Sequence, residues 1–191
     1  MYFDFKKLDR IIDYWLLPAY HFEGPWSVMT AISSSYLRAD LMVLNHLKIL
    51  PPDKILLGIP TYYLPVVVDS TVKKIRLSSR LKVNFTPNQQ LSTFRQLCEQ
   101  AAKGGLTVVH NESSTVNSYA FLKNDFVSFE SSISAVNKMR LVFEKNLAGT
   151  FVASITTDDY DGKACNCGNF HILRSINNAL RGSVSEVKTC P

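Results

Sequence analysis

Residues Lys54–Leu64, KILLGIPTYYL, form an apolar, β-branched run that ends in Gly58, Pro60 and the adjacent Tyr62 and Tyr63. A buried strand that delivers side chains to a site at its C-terminal end has this pattern, with punctuating residues closing the apolar run. Two further runs share it. Asp13–Tyr20 (DYWLLPAY) opens into HFEGPW, and Gly149–Ile155 (GTFVASI) opens into TTDDYDG. Short buried strands separated by helical stretches predict parallel βα units, because parallel strands are covered on both faces and need crossovers between them.

Working outward, residues 3–12 (FDFKKLDRII) carry apolar groups at close to helical period and predict a helix feeding the first strand. Leu37, Leu41, Leu44 and Leu47, with Met42 and Ile49, mark an amphipathic helix closed by Pro51-Pro52. From Tyr63 to about Val127 the pattern changes. Alternation over Val72–Leu77, a helical run at Leu91–Ala102, the Gly104-Gly105 turn, and strands near Leu106–Val109 and Tyr119–Leu122 predict a small α+β unit. A helix over Glu130–Asn146 then returns the chain to the third strand, and Phe170–Leu180 closes the fold. The polar tail Arg181–Pro191 is expected to fray.

The chain of 191 residues is 46% apolar, enough for a core, and its 21 basic and 16 acidic residues give a net charge of +5. The one dense basic stretch, Lys73-Lys74-Ile75-Arg76 through Arg80-Leu81-Lys82, reads as a solvated face rather than a nucleic-acid groove, since no binding motif accompanies it. No apolar stretch reaches the ~18 residues that a spanning helix needs, so no membrane role is expected. With Asp4, Asp9 and Asp13 between its apolar residues, the N-terminus does not read as a signal peptide, so the chain is expected either to be intracellular or to lack the front of its parent. The sequons at Asn84 and Asn111, together with four cysteines, point to a secreted parent. A zinc site is not expected, because Cys165-x-Cys167 has no second Cys-x-x-Cys or paired histidines at finger spacing.

Tyr20, Gly24 and Trp26 in YHFEGPW, then Gly58-Ile59-Pro60-Thr61-Tyr62, then Asp158-Asp159-Tyr160 followed by Cys165-Asn166-Cys167-Gly168 and Phe170, stand in a telling order. In that order and at those distances they resemble the C-terminal half of family 18 glycoside hydrolases, the chitinases and chitinase-like lectins. The resemblance implies an α/β fold: an incomplete (β/α)8 TIM barrel, its last three strands drawn from residues 1–62 and 128–191, with an α+β insertion domain at 63–127. It implies an extracellular parent whose fold begins before Met1, no cofactor and no metal. It also implies a Cys98–Cys165 disulfide, while leaving open whether Cys167 and Cys190 bridge each other or stay free.

The family's acid is the last residue of an Asp-x-x-Asp-x-Asp-x-Glu string, and that string is absent from these residues. Other positions also depart from the family. Pro18-Ala19-Tyr20-His21 keeps the phenol that orients an acetamide but puts an imidazole where the family has aspartate, which removes charge stabilisation of a cationic intermediate. The Gly-Arg after the family's tyrosine becomes Tyr63-Leu64, a glutamate becomes Asn88, and a sugar-stacking tryptophan becomes Ala153, which offers almost no ring area. Asp158-Asp159 reads as a capping and loop pair. The resemblance therefore implies no catalytic residue here. It implies a chitinase-like protein or fragment that binds chitin or N-acetylglucosamine oligomers through Tyr20, His21, Trp26, Tyr62 and Tyr63. The alternative is one portion of an active chitinase using substrate-assisted retaining catalysis. Three strands without the rest of a barrel leave two open edges, which are expected to invite association.

Overall fold

The computed structural model describes residues 4–82, 85–110, 118–182 and 190. Its centre is a three-stranded parallel sheet in the order β1 (Trp15–Leu17), β2 (Ile55–Pro60), β7 (Gly149–Ala153). Register runs Trp15 beside Ile55 on one side, and Leu56 beside Gly149 through Pro60 beside Ala153 on the other. All three strands point the same way, as the three apolar runs predicted. Side chains alternate across a strand. Ile55, Leu57 and Ile59 are fully buried and belong to the main core, which also holds Ala39 and Val43 of α2 (Tyr36–His46) and Ala135, Met139, Leu141 and Val142 of α4 (Ser132–Glu144). Leu56, Gly58 and Pro60 lie on the opposite face.

A second, antiparallel sheet has the order β3 (Val66–Val67), β6 (Asp125–Phe129), β5 (Ser118–Leu122), β4 (Thr107–Val109). Lys123, left-handed at φ 54°, makes the tight β5–β6 turn. α3 (Phe94–Lys103) is capped by Thr93, whose hydroxyl accepts from the Gln96 N–H at 3.1 Å. α4 is opened by a capping box between Ser131 and Ser134. α5 (His171–Leu180) is capped from a distance, for the Asp158 carboxylate accepts from the N–H groups of Ile172 and Leu173.

Several expectations need correction. The opening helix is only α1 (Phe5–Leu8), with Asp4 capping it, and a turn leads on to β1. Leu37 and Leu41 of α2 are 61% and 59% exposed, and the helix buries Ala39 and Val43 instead. Periodicity located the stripe but could not say which way it faces. Val72–Leu77 is not a strand; Val72, Ile75 and Leu77 pack on a small second core of Val66, Val68, Leu81 and Phe126 from an irregular loop. Cys190 is buried and bridged to Cys167, while residues 183–189 and 191, where most of the expected fraying falls, lie outside the described residues. The two sequons, Asn84 and Asn111, lie outside the described residues.

The Lys138 ammonium on α4 is buried and donates to the Ser34 carbonyl, the Ser34 hydroxyl and Glu130 Oε2, each at 2.5 Å. Burial pushes its pKa down, and the Glu130 carboxylate opposes that shift. Removing one partner strands the other charge in the core. Lys138→Ala is expected to cost about 3–5 kcal/mol, measured by urea denaturation, and Lys138→Met with Glu130→Leu should recover much of the loss.

Candidate functional site

The C-terminal ends of β1 and β2 bring three rings together. Gly58 makes room for this. A Cβ there would stand 2.8 Å from a Tyr20 ring carbon and 2.7 Å from Phe151, so the tyrosine and phenylalanine rings occupy the space that any side chain would need. Just past β1, Tyr20 meets Tyr62 edge-on at 6.2 Å between ring centroids, and His21 packs against Tyr62 at 4.7 Å and against Tyr20 at 4.9 Å. His21 reaches this position from a left-handed backbone, φ 55°.

Thr61 fixes the end of β2. Its N–H donates to the Ala153 carbonyl at 2.8 Å, and its hydroxyl to the Ser154 carbonyl at 2.6 Å. Its carbonyl accepts from the Phe94 N–H, which ties the site to the start of α3. Ala153 follows Phe151 by two residues and so faces the same side as the ring cluster. It presents only a methyl group there.

The electrostatics keep the cluster neutral. Burial, and then the neighbouring Tyr62 phenol with its hydrogen bond, push the Tyr20 hydroxyl up to about 12. Burial lowers the His21 pKa, opposed by a backbone hydrogen bond at Tyr62. His21 Nε2 is buried without a hydrogen-bond partner among the described residues. Uncharged donors and acceptors beside aromatic faces suit a neutral polyhydroxylated or amide-bearing ligand rather than an ion.

The other residues singled out in the sequence are divided. Tyr63 is corrected: it is 4% exposed, packs on Phe129 and donates its hydroxyl to the Glu130 carbonyl at 3.1 Å, so it offers no ring face to a ligand. Trp26 is 63% exposed and folds over Gly24, where a Cβ would stand 2.8 Å from its ring. Its loop is held by Glu23, which accepts from the Ser27 hydroxyl and pairs with Arg38. Among the described residues no ring contact joins Trp26 to the tyrosine cluster. It lines a separate cleft of about 510 Å³ with Val28, Pro65, Lys82, Phe85 and Pro87. Asn88 spends its side-chain oxygen on the Gln90 N–H of a short turn.

The paired carboxylates are structural. Asp158 caps α5, and Asp159, fully buried, accepts from the N–H groups of Ala164 and Cys165 and pairs with Arg95. Arg95 also binds Asp161 and lies over the Tyr160 ring, so α3 is clamped to the loop after β7. The Cys98–Cys165 disulfide joins the same two segments. Cys167 and Cys190 close on each other beside buried His171, and both sulfurs are used by the bridge. Phe151 was not singled out from the sequence, and Thr61 was quoted only as part of a motif, with no role given to it. The pairing of Gly58 with Phe151 depends on strand register, which a single sequence does not display.

A family model described as "Glycosyl hydrolases family 18" matches residues 1–158. An endochitinase from Brugia malayi is 28% identical over 139 residues, which is 70% of this chain and 27% of that protein. Chitinase-3-like protein 2 from Homo sapiens is 23% identical, with 92% of this chain and 49% of that protein covered. Among solved structures, catalytic domain 2 of the group II chitinase of Ostrinia furnacalis superposes with a TM-score of 0.86 at 22% identity, over 98% of this chain and 53% of that one. Human YKL-39, described as a pseudo-chitinase with retained chitooligosaccharide binding, superposes with a TM-score of 0.78 at 21% identity, over 93% of this chain and 53% of that one. The chain thus spans about half or less of the length of these relatives. With the family model covering most of its residues, the chain belongs to glycosyl hydrolase family 18.

Proposed function

We propose that the chain is a catalytically degenerate, chitinase-like polypeptide that binds chitin or N-acetylglucosamine oligomers at the Tyr20–His21–Tyr62 cluster. The observation that carries this reading is the convergence of two tyrosines and a neutral imidazole at the C-terminal ends of adjacent parallel strands, the end at which barrel proteins build their sites. Both kinds of relative, chitinase and pseudo-chitinase, include solved structures described with chitooligosaccharides. Trp26 contributes a stacking face from the neighbouring loop. The absence of an Asp-x-x-Asp-x-Asp-x-Glu string, with His21 and Ala153 at the site, argues against hydrolysis by these residues alone.

On this reading the parallel sheet is the last part of a (β/α)8 barrel, drawn from residues 1–62 and 128–191, and residues 63–127 are its insertion domain. The parent is secreted, in keeping with two disulfides. The open edges of β1 and β7, with Leu16 60% exposed beside Leu56, are where the chain associates with a further polypeptide surface. The second reading, a portion of an active family 18 chitinase, is favoured by the half-length overlap with working chitinases. It requires the acid-bearing strands from residues outside this sequence.

Chitin-bead retention of residues 1–191 should fall on the order of tenfold for Tyr62→Ala, and equal retention of both forms would remove Tyr62 from the site. No release of fluorophore from a chitobioside substrate is expected; measurable turnover by this chain would overturn the degenerate reading. Burial keeps His21 neutral, so its folded pKa lies below the ordinary 6.5. A ligand that covers it favours the neutral form further. Retention should therefore be flat above pH 6.5 and decline as pH falls below it, with the decline abolished by His21→Gln.

A further inference from the structure

A second set of chemistry-bearing side chains lies away from the tyrosines. Cys167, His171 and Cys190 bring two sulfurs and one ring nitrogen within 4.8 Å of one another, the one grouping of three metal-ligating side chains among the described residues. Cys190 is 2% exposed and His171 3%, whereas Cys167 is part-exposed.

Each donor is held from a different piece of chain. His171 opens α5, and its ring stacks on the fully buried Phe94 at 6.1 Å between centroids. Cys167, in the loop after β7, is set by the Arg174 guanidinium, which donates to its carbonyl at 2.5 Å. That guanidinium passes so close to Gly168 that a Cβ there would stand 2.6 Å from it, and Gly168 is left-handed at φ 84°. Cys190 arrives from beyond α5.

In the oxidised chain the two sulfurs are bonded to each other, with their Cα atoms 6.5 Å apart. That spacing is near the upper end of the ~4.4–6.8 Å that bridged cysteines span. Two thiolates on tetrahedral zinc, with Zn–S about 2.3 Å, stand roughly 3.8 Å apart. Cysteines spaced as these are reach that separation by turning their side chains. A disulfide needs no imidazole beside it. Zinc, by contrast, takes cysteine sulfur and histidine nitrogen together.

We propose that reduction of the Cys167–Cys190 bridge opens a zinc site made of Cys167, His171 and Cys190, so that disulfide and metal are alternative cross-links between the loop after β7 and the chain beyond α5. A dithiol of the Cys-x-x-Cys kind supplies two electrons and two protons, leaving as its own disulfide, and the two sulfurs become thiols. Zinc then displaces both protons to solvent as it forms two Zn–S bonds and one Zn–N bond. A divalent ion with two thiolates and a neutral imidazole carries no net charge, which a buried site tolerates. The part-exposed side at Cys167 leaves the fourth position to water. Reoxidation by a protein disulfide takes two electrons from the sulfurs and expels the ion.

Cobalt(II) added to residues 1–191, after reduction by a phosphine and removal of the reductant, tests this. One equivalent should give thiolate-to-metal charge transfer and the ligand-field absorption of a tetrahedral ion, and zinc should bleach both. The oxidised chain should give neither. Zinc affinity, read against a chromophoric chelator, should fall by at least about tenfold in His171→Ala, as it does on loss of even a ligand's own hydrogen-bond partner. Cys190→Ser should lose much of the charge-transfer intensity, and Cys98→Ser with Cys165→Ser should keep the full site. Alkylation of the reduced chain, mapped by mass spectrometry, decides the matter even where a variant fails to fold. Zinc should slow the reaction of Cys167 and Cys190 by at least about tenfold and leave the rates of Cys98 and Cys165 unchanged. Equal protection of all four cysteines, cobalt absorption that survives both Cys190→Ser and His171→Ala, or a reduced chain that takes up no cobalt would overturn the site.

Discussion

The Lys138–Glu130 pair holds the architecture together. Glu130 follows directly on the last residue of β6, Lys138 lies on the helix that leads to β7, and Ser34 precedes α2. One ammonium group thus joins the antiparallel sheet, the return helix and the first crossover. Taking two charges out of water is costly, and the pair is tolerable because each charge is met by the other and by the Ser34 hydroxyl. The same junction takes up the Tyr63 hydroxyl, so the residue after Tyr62 is drawn inward. That fixes which of the two adjacent tyrosines faces the ring cluster.

Much of the scaffold was legible in the residues themselves. KILLGIPTYYL reads as a buried strand because both of its faces are apolar, and the parallel arrangement follows from helical spacing between three such runs. The limits are equally physical. Side-chain direction alternates in extended chain, so Tyr62 and Tyr63 could not both face a ligand, yet nothing in the dipeptide says which one would. Leu37, Leu41 and Leu44 form a true stripe, but period alone does not say whether a stripe meets this chain's core or another surface. β3 and β6 were missed because β3 has two residues and β6 is half of a hairpin whose partner alone was recognised.

The site was legible in part for the same reasons. Tyr20 and Tyr62 are named by their position after apolar runs. The space between them is set by Gly58, and that role appears only once Phe151 lies alongside in register. His21 changes the character of the pocket from charged to neutral. A carboxylate at this place would draw cations or stabilise a positive intermediate. A buried imidazole beside a phenol pushed to about 12 leaves hydrogen bonding and ring contact as the available interactions.

The loop after β7 carries cysteines at alternate positions, 165 and 167, and each is bonded to a different part of the chain. The covalent path therefore runs from α3 directly to this loop as well as around through the antiparallel sheet. A protease that cuts the backbone once anywhere between residues 99 and 164 would release no fragment, because the two pieces stay joined through sulfur. On a denaturing gel such a nicked molecule keeps its full mass until a thiol reductant is added, and a nicked population would pass unnoticed in a non-reducing lane.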